Sequence, residues 1–188
     1  MRVRVMGPLL MAAAMLVSVG GFAQSAGAAG GGFNCTGGGG TMTASPGLLL
    51  FSGKPQTLTW AQNGLSCTGG FVSNGNLKAT MTTPKEVRCS GIIGIVDHGS
   101  STITWTAPAG MGKTTLKLNM TITSTSNHST QGTLSGLVTT TGSNFASGKT
   151  VSGSFTLGKG LHSTNGGGDC TVNIPLTTFP ITSMNLHT

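Results

Sequence analysis

Apolar residues recur at every second position through much of this chain, and that pattern limits its fold more than any other feature. The clearest run is Thr115–Ser124. Its apolar side chains fall on one face: Leu116, Leu118, Met120 and Ile122. A period of two residues is typical of a β-strand with one buried and one wet face. Beyond residue 28 no segment has a convincing helical period, so the pattern predicts an all-β fold.

Further alternating runs and turn signals indicate many short strands. The runs are Thr57–Trp60, Asn76–Met81, Thr102–Thr106, Thr150–Leu157 and Thr171–Leu176. The turn signals are Asn63-Gly64, Asn74-Gly75, His98-Gly99, Gly142-Ser143 and Asn165-Gly166. Many short strands are typical of an antiparallel sandwich or a barrel. Because one-sided alternation suits sandwich sheets, we predict an antiparallel β-sandwich, immunoglobulin-like in a loose sense.

The first residues have the pattern of a secretory signal peptide. Arg2 and Arg4 form a basic start, Leu9–Val19 is apolar, and small residues at 26–28 suit a signal peptidase. The apolar run is too short for a membrane anchor, which needs about 20 residues. We therefore predict a signal peptide at residues 1–28, a secreted or envelope-associated protein, and no transmembrane span after signal removal.

The remaining chain divides into a glycine-rich leader and one domain. Residues 29–41 are rich in glycine and contain a short predicted strand at 33–36. The predicted β-sandwich domain comprises residues 42–188, and the short strand at 33–36 is assigned to it as its first strand. A chain of 188 residues in all is long enough for one ordinary domain.

Four cysteines follow the signal: Cys35, Cys67, Cys89 and Cys170. An even number of cysteines in an exported chain predicts two disulfides. A zinc site would need a different spacing, since the sequence has no Cys-x-x-Cys pair. Four cysteines allow three pairings, and sequence cannot choose between them. We favour the nested pairing, Cys67–Cys89 with Cys35–Cys170, because short loops close more easily.

The scarcity of carboxylates argues against catalysis. Only 7% of the residues are charged, and the acids are Glu86, Asp97 and Asp169. A glycosidase needs two carboxylates across a cleft, whereas Glu86 lies beside Lys85 and Arg88 as in a surface cluster. This composition also excludes a coiled coil or helical bundle, which needs many charged helix formers. We predict that the protein is not an enzyme.

Two glycine-rich segments have a simpler structural interpretation. Ala107–Thr114 fits a relaxed phosphate-loop pattern, but a strand follows it where a phosphate loop requires a helix. We interpret it as a hairpin connection between the strands of Trp105 and Leu116. Gly166–Asp169 supplies one acid and does not repeat, which makes it a weak calcium signal. No cofactor-binding or metal-binding residue is predicted.

The histidines and tryptophans are candidate functional residues. The histidines are His98, His128, His162 and His187. Asp97 and His98 are neighbours that would point to opposite faces of a strand, and no nucleophile elbow accompanies them, so no catalytic residue is predicted. Trp60 and Trp105 lie on alternating strands and are expected in the core; exposed, they would form a stacking surface. The scattered cations contain no basic run, so no nucleic-acid partner is predicted.

Several short motifs stand out in their order along the chain: Cys35-Thr36-Gly37, Pro46-Gly47, Gly64–Thr68, Cys89, Ile103–Trp105 and Cys170, with Gly136, Val138, Gly142, Phe145, Gly148 and Val151 within Gly132–Val151. In this order and spacing they resemble the motifs of small, secreted, uncharacterised actinobacterial proteins. The resemblance implies an all-β, disulfide-bonded exported domain and implies no activity. This chain departs from the pattern where Pro175 and Pro180 interrupt the last strand, which predicts a strand that is broken or at an edge.

The function we predict is a non-enzymatic secreted or envelope-associated module with a binding or structural role. Sheet faces rich in Thr, Ser and Asn could meet the hydroxyls of a cell-envelope glycan or the sheet edge of a partner protein. The alternatives are a secreted hydrolase with a site built from loops and a carrier of an apolar small ligand. A fold alone does not decide between these classes.

Overall fold

The computed structural model describes residues 31–70, 72–141, 146–163, 165 and 167–188, and in them the chain forms nine strands. The strands are β1 (Asn34–Gly37), β2 (Gly40–Leu48), β3 (Thr57–Thr68), β4 (Asn74–Thr82), β5 (Val96–Ala107), β6 (Lys113–Ser126), β7 (Ser129–Thr141), β8 (Thr150–Leu157) and β9 (Leu176–His187). A one-turn 3-10 helix, Cys89–Gly91, lies between β4 and β5. The predicted signal peptide lies outside the described residues. Among those residues no helix is long and apolar enough to cross a membrane.

All nine strands belong to one antiparallel sheet, and the sheet closes on itself. From β2 to β9 each strand pairs with the next one in the chain, and β9 pairs with β2, for example at Thr41 and Pro180. The short β1 also lies between β3 and β9: Cys35 is opposite both Cys67 and Leu186. Strand β1 thus continues β2 across Gly38 and Gly39 in the same register. The result is an eight-stranded barrel.

The all-β, antiparallel and disulfide-bonded parts of the prediction are confirmed, but the expected two-sheet arrangement is not what forms. A sandwich and a barrel impose the same alternation, because each strand buries one face in either fold. The two folds differ in whether the first and last strands pair. That pairing joins residues at opposite ends of the sequence and leaves no periodic signal.

Large side chains from around the sheet fill the barrel. The ring of Trp60 in β3 meets that of Phe155 in β8 edge to face, with centroids 5.1 Å apart. Trp105 makes a similar contact with Phe33 at 5.6 Å. Both tryptophans are buried, which confirms their expected place in the core. Gly132, directly opposite Phe155, leaves room for its ring, where a Cβ would collide with it.

Three of the expected turns are instead inside strands: Asn63-Gly64, Asn74-Gly75 and His98-Gly99. Gly64 has a φ of +68° and lies at a bulge of β3, between Gln62 and Leu65. Gly99 lies where β4 and β5 approach so closely that a Cβ would collide with the Thr80 carbonyl oxygen. The other two turn signals lie wholly or partly outside the described residues. Glycine here marks a bulge and a close approach of strands rather than hairpin turns.

The end of the chain also differs from the prediction. Residues 171–174 form a turn in which Thr171 Oγ1 accepts a hydrogen bond from Ile174 N at 2.9 Å, and β9 begins only at Leu176. The predicted strand Thr171–Leu176 is therefore wrong. Pro180 lies within β9, not at a sheet edge, and its carbonyl accepts a hydrogen bond from Gly158 N just beyond the end of β8. Proline has no N–H to donate, and at Pro180 the missing donor would face a position just past Leu157, the last residue of β8.

Because successive strands run in opposite directions, the connections alternate between the two ends of the barrel. The terminal end holds the start of β1 and the end of β9, where Thr188 N donates to the Phe33 carbonyl at 3.0 Å. The opposite end, which we call the loop end, holds the long connections at 49–56, 83–95 and 158–175 together with the β6–β7 turn.

The disulfides connect Cys35 with Cys67 and Cys89 with Cys170, so the favoured nested pairing is wrong. Cys35 and Cys67 are directly opposite each other on β1 and β3, with Cα atoms 4.0 Å apart. Cys67 and Cys89 cannot meet, because they lie near opposite ends of the barrel. Short separation in sequence is a poor guide when a single strand spans the molecule. The prediction that all four cysteines form disulfides is confirmed.

Proteolysis of the unreduced protein tests the pairing. We expect two cross-linked peptide pairs, one joining Cys35 to Cys67 and one joining Cys89 to Cys170, each of which separates on reduction. Mass spectrometry of the digest, prepared at acidic pH to prevent exchange between disulfides, identifies them. A peptide joining Cys67 to Cys89 would contradict the barrel, since it requires both residues at one end.

Substitution of Gly136 tests the close approach of β6 and β7. A Cβ at Gly136 would collide with the Lys117 backbone oxygen, so Gly136→Ala must push the strands apart. We expect a loss of about 1–3 kcal/mol in the free energy of unfolding, measured by denaturant titration. The matched control is Ser135→Ala, which changes the adjacent exposed residue and should be nearly neutral. Equal stability of the two variants would contradict the packing described.

Candidate binding surface

The outer face of β3–β6 is polar because the apolar residues of these strands turn inward. Successive strands align their outward residues in rows. One row across the four strands is Thr59, Thr80, Ser100 and Lys117. The next row is Ala61, Lys78, Thr102 and Thr115. Hydroxyl groups are therefore displayed at regular spacing on a rigid, hydrogen-bonded sheet.

Three lysines project from this face, and we call the surface they share the lysine wall. Lys78 lies on β4, and Lys113 and Lys117 lie on β6. Strand β5 runs between them, so the backbones of Lys78 and the β6 lysines are about 10 Å or more apart, two strand spacings. Thr102, opposite Lys78, and Thr104, opposite Lys113, lie in that interval.

A shallow depression of about 490 Å³ lies within the lysine wall. Its lining consists of amides, hydroxyls and ammonium groups: Asn63, Asn76, Lys78, Thr102, Thr104 and Lys113. The bulge of β3 shapes one side, where Asn76 Oδ1 accepts a hydrogen bond from Gly64 N at 2.9 Å. The depression therefore offers both hydrogen-bonding groups and positive charge.

Glu86, Asp97 and Asp169 are all among the described residues, and none of their carboxylates faces the lysine wall. Asp97 lies on β5 but points into the barrel and is 1% exposed. Glu86 and Asp169 lie in connections at the loop end. Within the described part of the chain, none of the three wall lysines forms an ion pair. Their charge therefore remains available to an anionic ligand.

The four histidines are not brought together. On the barrel wall, His98 Nδ1 lies 2.8 Å from Asn119 Oδ1, and His187 Nε2 lies 2.9 Å from Ser152 Oγ. At the loop end, His162 Nδ1 lies 3.3 Å from Thr125 Oγ1, and His128 contacts Asp169. In the described residues no three His, Cys, Asp or Glu side chains are grouped to hold a metal ion.

Asp169 ties two connections together at the loop end. Its carboxylate accepts a hydrogen bond from Gly160 N at 2.7 Å and lies 3.3 Å from His128 Nδ1 and 3.5 Å from Lys159 Nζ. Burial alone would raise the pKa of Asp169, but the Gly160 hydrogen bond, His128 and Lys159 together lower it. These contacts hold the β8–β9 connection against the β6–β7 turn, which is a structural role.

The glycine-rich segment Ala107–Thr114 is a hairpin connection, as expected. Strand β5 ends at Ala107, and β6 begins at Lys113. Thr114 is buried and accepts a hydrogen bond from Trp105 Nε1 at 2.8 Å. The lysine of the segment belongs to the wall instead of a phosphate cradle. Lys113 and Lys117 are not among the residues predicted from the sequence, although their spacing on one face of an alternating strand is a usable signal.

Comparison of the chain with models of protein families, with curated proteins and with solved structures finds no match. The resemblance to secreted actinobacterial proteins stays a prediction.

Asp97 provides a test of the interior. Burial raises its pKa to about 6, against a smaller opposing effect of His98, and Oδ1 has no hydrogen-bond partner in the described part of the chain. The folded protein therefore retains a proton that the unfolded chain releases near pH 4, so stability falls as pH rises from about 4 to about 6 and stays lower above that window.

We expect Asp97→Asn to remove this pH dependence, because asparagine does not ionise. Thermal melts should show the variant several degrees more stable than the wild type at neutral pH, with the difference shrinking towards pH 4. Asp169→Asn is the control of opposite sign: its carboxylate has a lowered pKa, so it stabilises the fold at neutral pH and that contribution is lost on acidification. Parallel pH profiles for wild type and Asp97→Asn would contradict an ionisable buried Asp97.

Proposed function

We propose that the protein is a non-enzymatic exported module that binds an anionic, hydroxyl-rich glycan of the cell envelope through the lysine wall. The observation that carries the proposal is the set of three lysines among hydroxyl and amide groups, on a face to which none of the described acidic side chains points. Envelope association and export are part of this proposal.

The chemistry of the lysine wall suits such a polymer. Threonine hydroxyls and the asparagine amides donate to and accept from sugar hydroxyls, and each lysine attracts a phosphate or carboxylate as a compact positive charge. A polymer with repeated anionic groups could contact the lysines on both sides of β5. Because the strands are already held in the barrel, binding would order few additional backbone groups.

The two disulfides support a location outside the cytoplasm. Such bonds persist in oxidising compartments and are rare where thiols are kept reduced. The predicted signal peptide agrees with that location. A glycan of the cell envelope is therefore a ligand that the protein could meet.

The alternative functions have less support. A hydrolase needs acids or a nucleophile that converge, and the three carboxylates are instead separated, with Asp97 inside the barrel and Glu86 and Asp169 in different connections. A carrier needs room for its ligand, whereas Trp60, Phe155 and Phe179 lie fully buried in the interior. Both tryptophans are inside, so neither offers a stacking surface to bases.

Co-sedimentation with an insoluble, phosphate-bearing cell-wall polysaccharide tests the proposal. We expect the wild type to bind and added salt to weaken binding. The triple variant Lys78→Gln, Lys113→Gln, Lys117→Gln should bind at least about tenfold more weakly, since each exposed ionic contact is worth roughly 0.5 kcal/mol or more. Neutral cellulose should retain less protein than the anionic polymer.

A second triple variant, Lys54→Gln, Lys85→Gln, Arg88→Gln, removes the same charge at the loop end and is the matched control. It should retain glycan binding. Equal loss in both triple variants would show that net charge alone drives binding, and release of reducing sugars from the polymer would contradict a non-enzymatic role.

A further inference from the structure

Large apolar side chains are exposed mainly at the loop end. Six such residues are exposed among those the structure describes: Phe51, Ile93, Val96, Leu137, Val172 and Ile174. All except Leu137 lie at the loop end. Four of them, Phe51, Ile93, Val172 and Ile174, are in the connections themselves and are 54–72% exposed. We call these four residues the apolar rim.

The connections that carry the apolar rim form one braced platform. Leu50 N donates to the Thr171 carbonyl at 2.9 Å, which places Phe51 and Val172 on adjoining segments. Cys89 N donates to the Leu49 carbonyl at 3.0 Å, and the disulfide from Cys89 to Cys170 joins the second and third connections. The rim residues therefore project from a fixed base.

The rim is not needed to cover the core. Leu48, Leu50, Val87, Ile92 and Leu161 already close this end of the barrel and are at most 6% exposed. Exposed apolar side chains concentrated at one end of a small protein indicate a surface that is covered by something else.

The charges around the apolar rim indicate what covers it. Lys54, Lys85 and Arg88 are exposed at this end, with Glu86 as the acid among them. A groove of about 390 Å³ places Phe51 beside Lys85, Glu86 and Arg88. Apolar tips flanked by an excess of cations suit an anionic lipid surface. A second copy of this chain suits it less well, since a symmetric contact would bring the cations of both copies together.

We propose that the loop end docks on an anionic lipid bilayer. The four rim side chains enter the boundary between headgroups and acyl chains, while Lys54, Lys85 and Arg88 contact lipid phosphates. This proposal is independent of glycan binding, because the lysine wall lies on the side of the barrel and shares no residue with the rim.

Co-sedimentation with lipid vesicles tests the proposal. Vesicles of equal parts phosphatidylcholine and phosphatidylglycerol should bind the protein, and pure phosphatidylcholine should bind it far more weakly. Phe51→Ser with Ile174→Ser should weaken binding about tenfold or more, because these two side chains are the most exposed of the rim. Leu137→Ser, an exposed apolar residue of β7, is the matched control and should bind like the wild type.

Two further variants distinguish the surfaces. The loop-end triple variant should lose binding to the anionic vesicles, and the lysine-wall triple variant should retain it. Thermal melts must show that the Phe51→Ser, Ile174→Ser protein is folded; Phe51→Thr with Ile174→Thr serves if it is not. The proposal is overturned if the wild type does not bind anionic vesicles, if the rim variants bind equally well, or if the protein is a dimer that these substitutions dissociate.

Discussion

The closure of the sheet by β9 against β1 and β2 is the constraint on which the rest of the structure depends. It joins the last strand to the first, so that each barrel strand is paired on both sides and has one face turned inward. Closure therefore determines which residue types lie inside the barrel and which lie outside. Apolar residues and two tryptophans fill the interior, and most of the threonine, serine, asparagine and lysine side chains face outward. Closure also gathers the long connections at one end and the termini at the other.

Much of the local structure could be predicted because it depends on neighbouring residues. The alternation of β6 between Leu116 and Ile122, the burial of Trp60 and the hairpin after Ala107 all follow from spacing along the chain. Closure, the disulfide pairing and the role of Gly99 could not, because each depends on which distant strands meet. In the segment 171–174 the alternating Val172 and Ile174 imitate a strand, yet both side chains are exposed in a turn.

The candidate binding surface could not be predicted from the sequence for the same reason. Each lysine of the wall is visible in the sequence, but only the register of β4, β5 and β6 places Lys78 and Lys113 around the same depression. The positions of the acidic residues relative to this surface could not be predicted either. Asp97 is one residue from exposed His98, and the parity of β5 alone turns its carboxylate into the barrel and away from the lysines.

The two proposed surfaces could bind their ligands at the same time because they lie on different sides of one rigid barrel. The apolar rim lies at an end of the barrel, whereas the lysine wall lies along its side, on strands that tilt by about 40° from the axis in barrels of this kind. A barrel standing on its rim would hold the wall upright beside the membrane. A polymer leaving the bilayer could then lie across β4–β6 while the rim stays in the lipid. The disulfide between Cys89 and Cys170 supports this arrangement, because it fixes two of the three connections that bear the rim to one another.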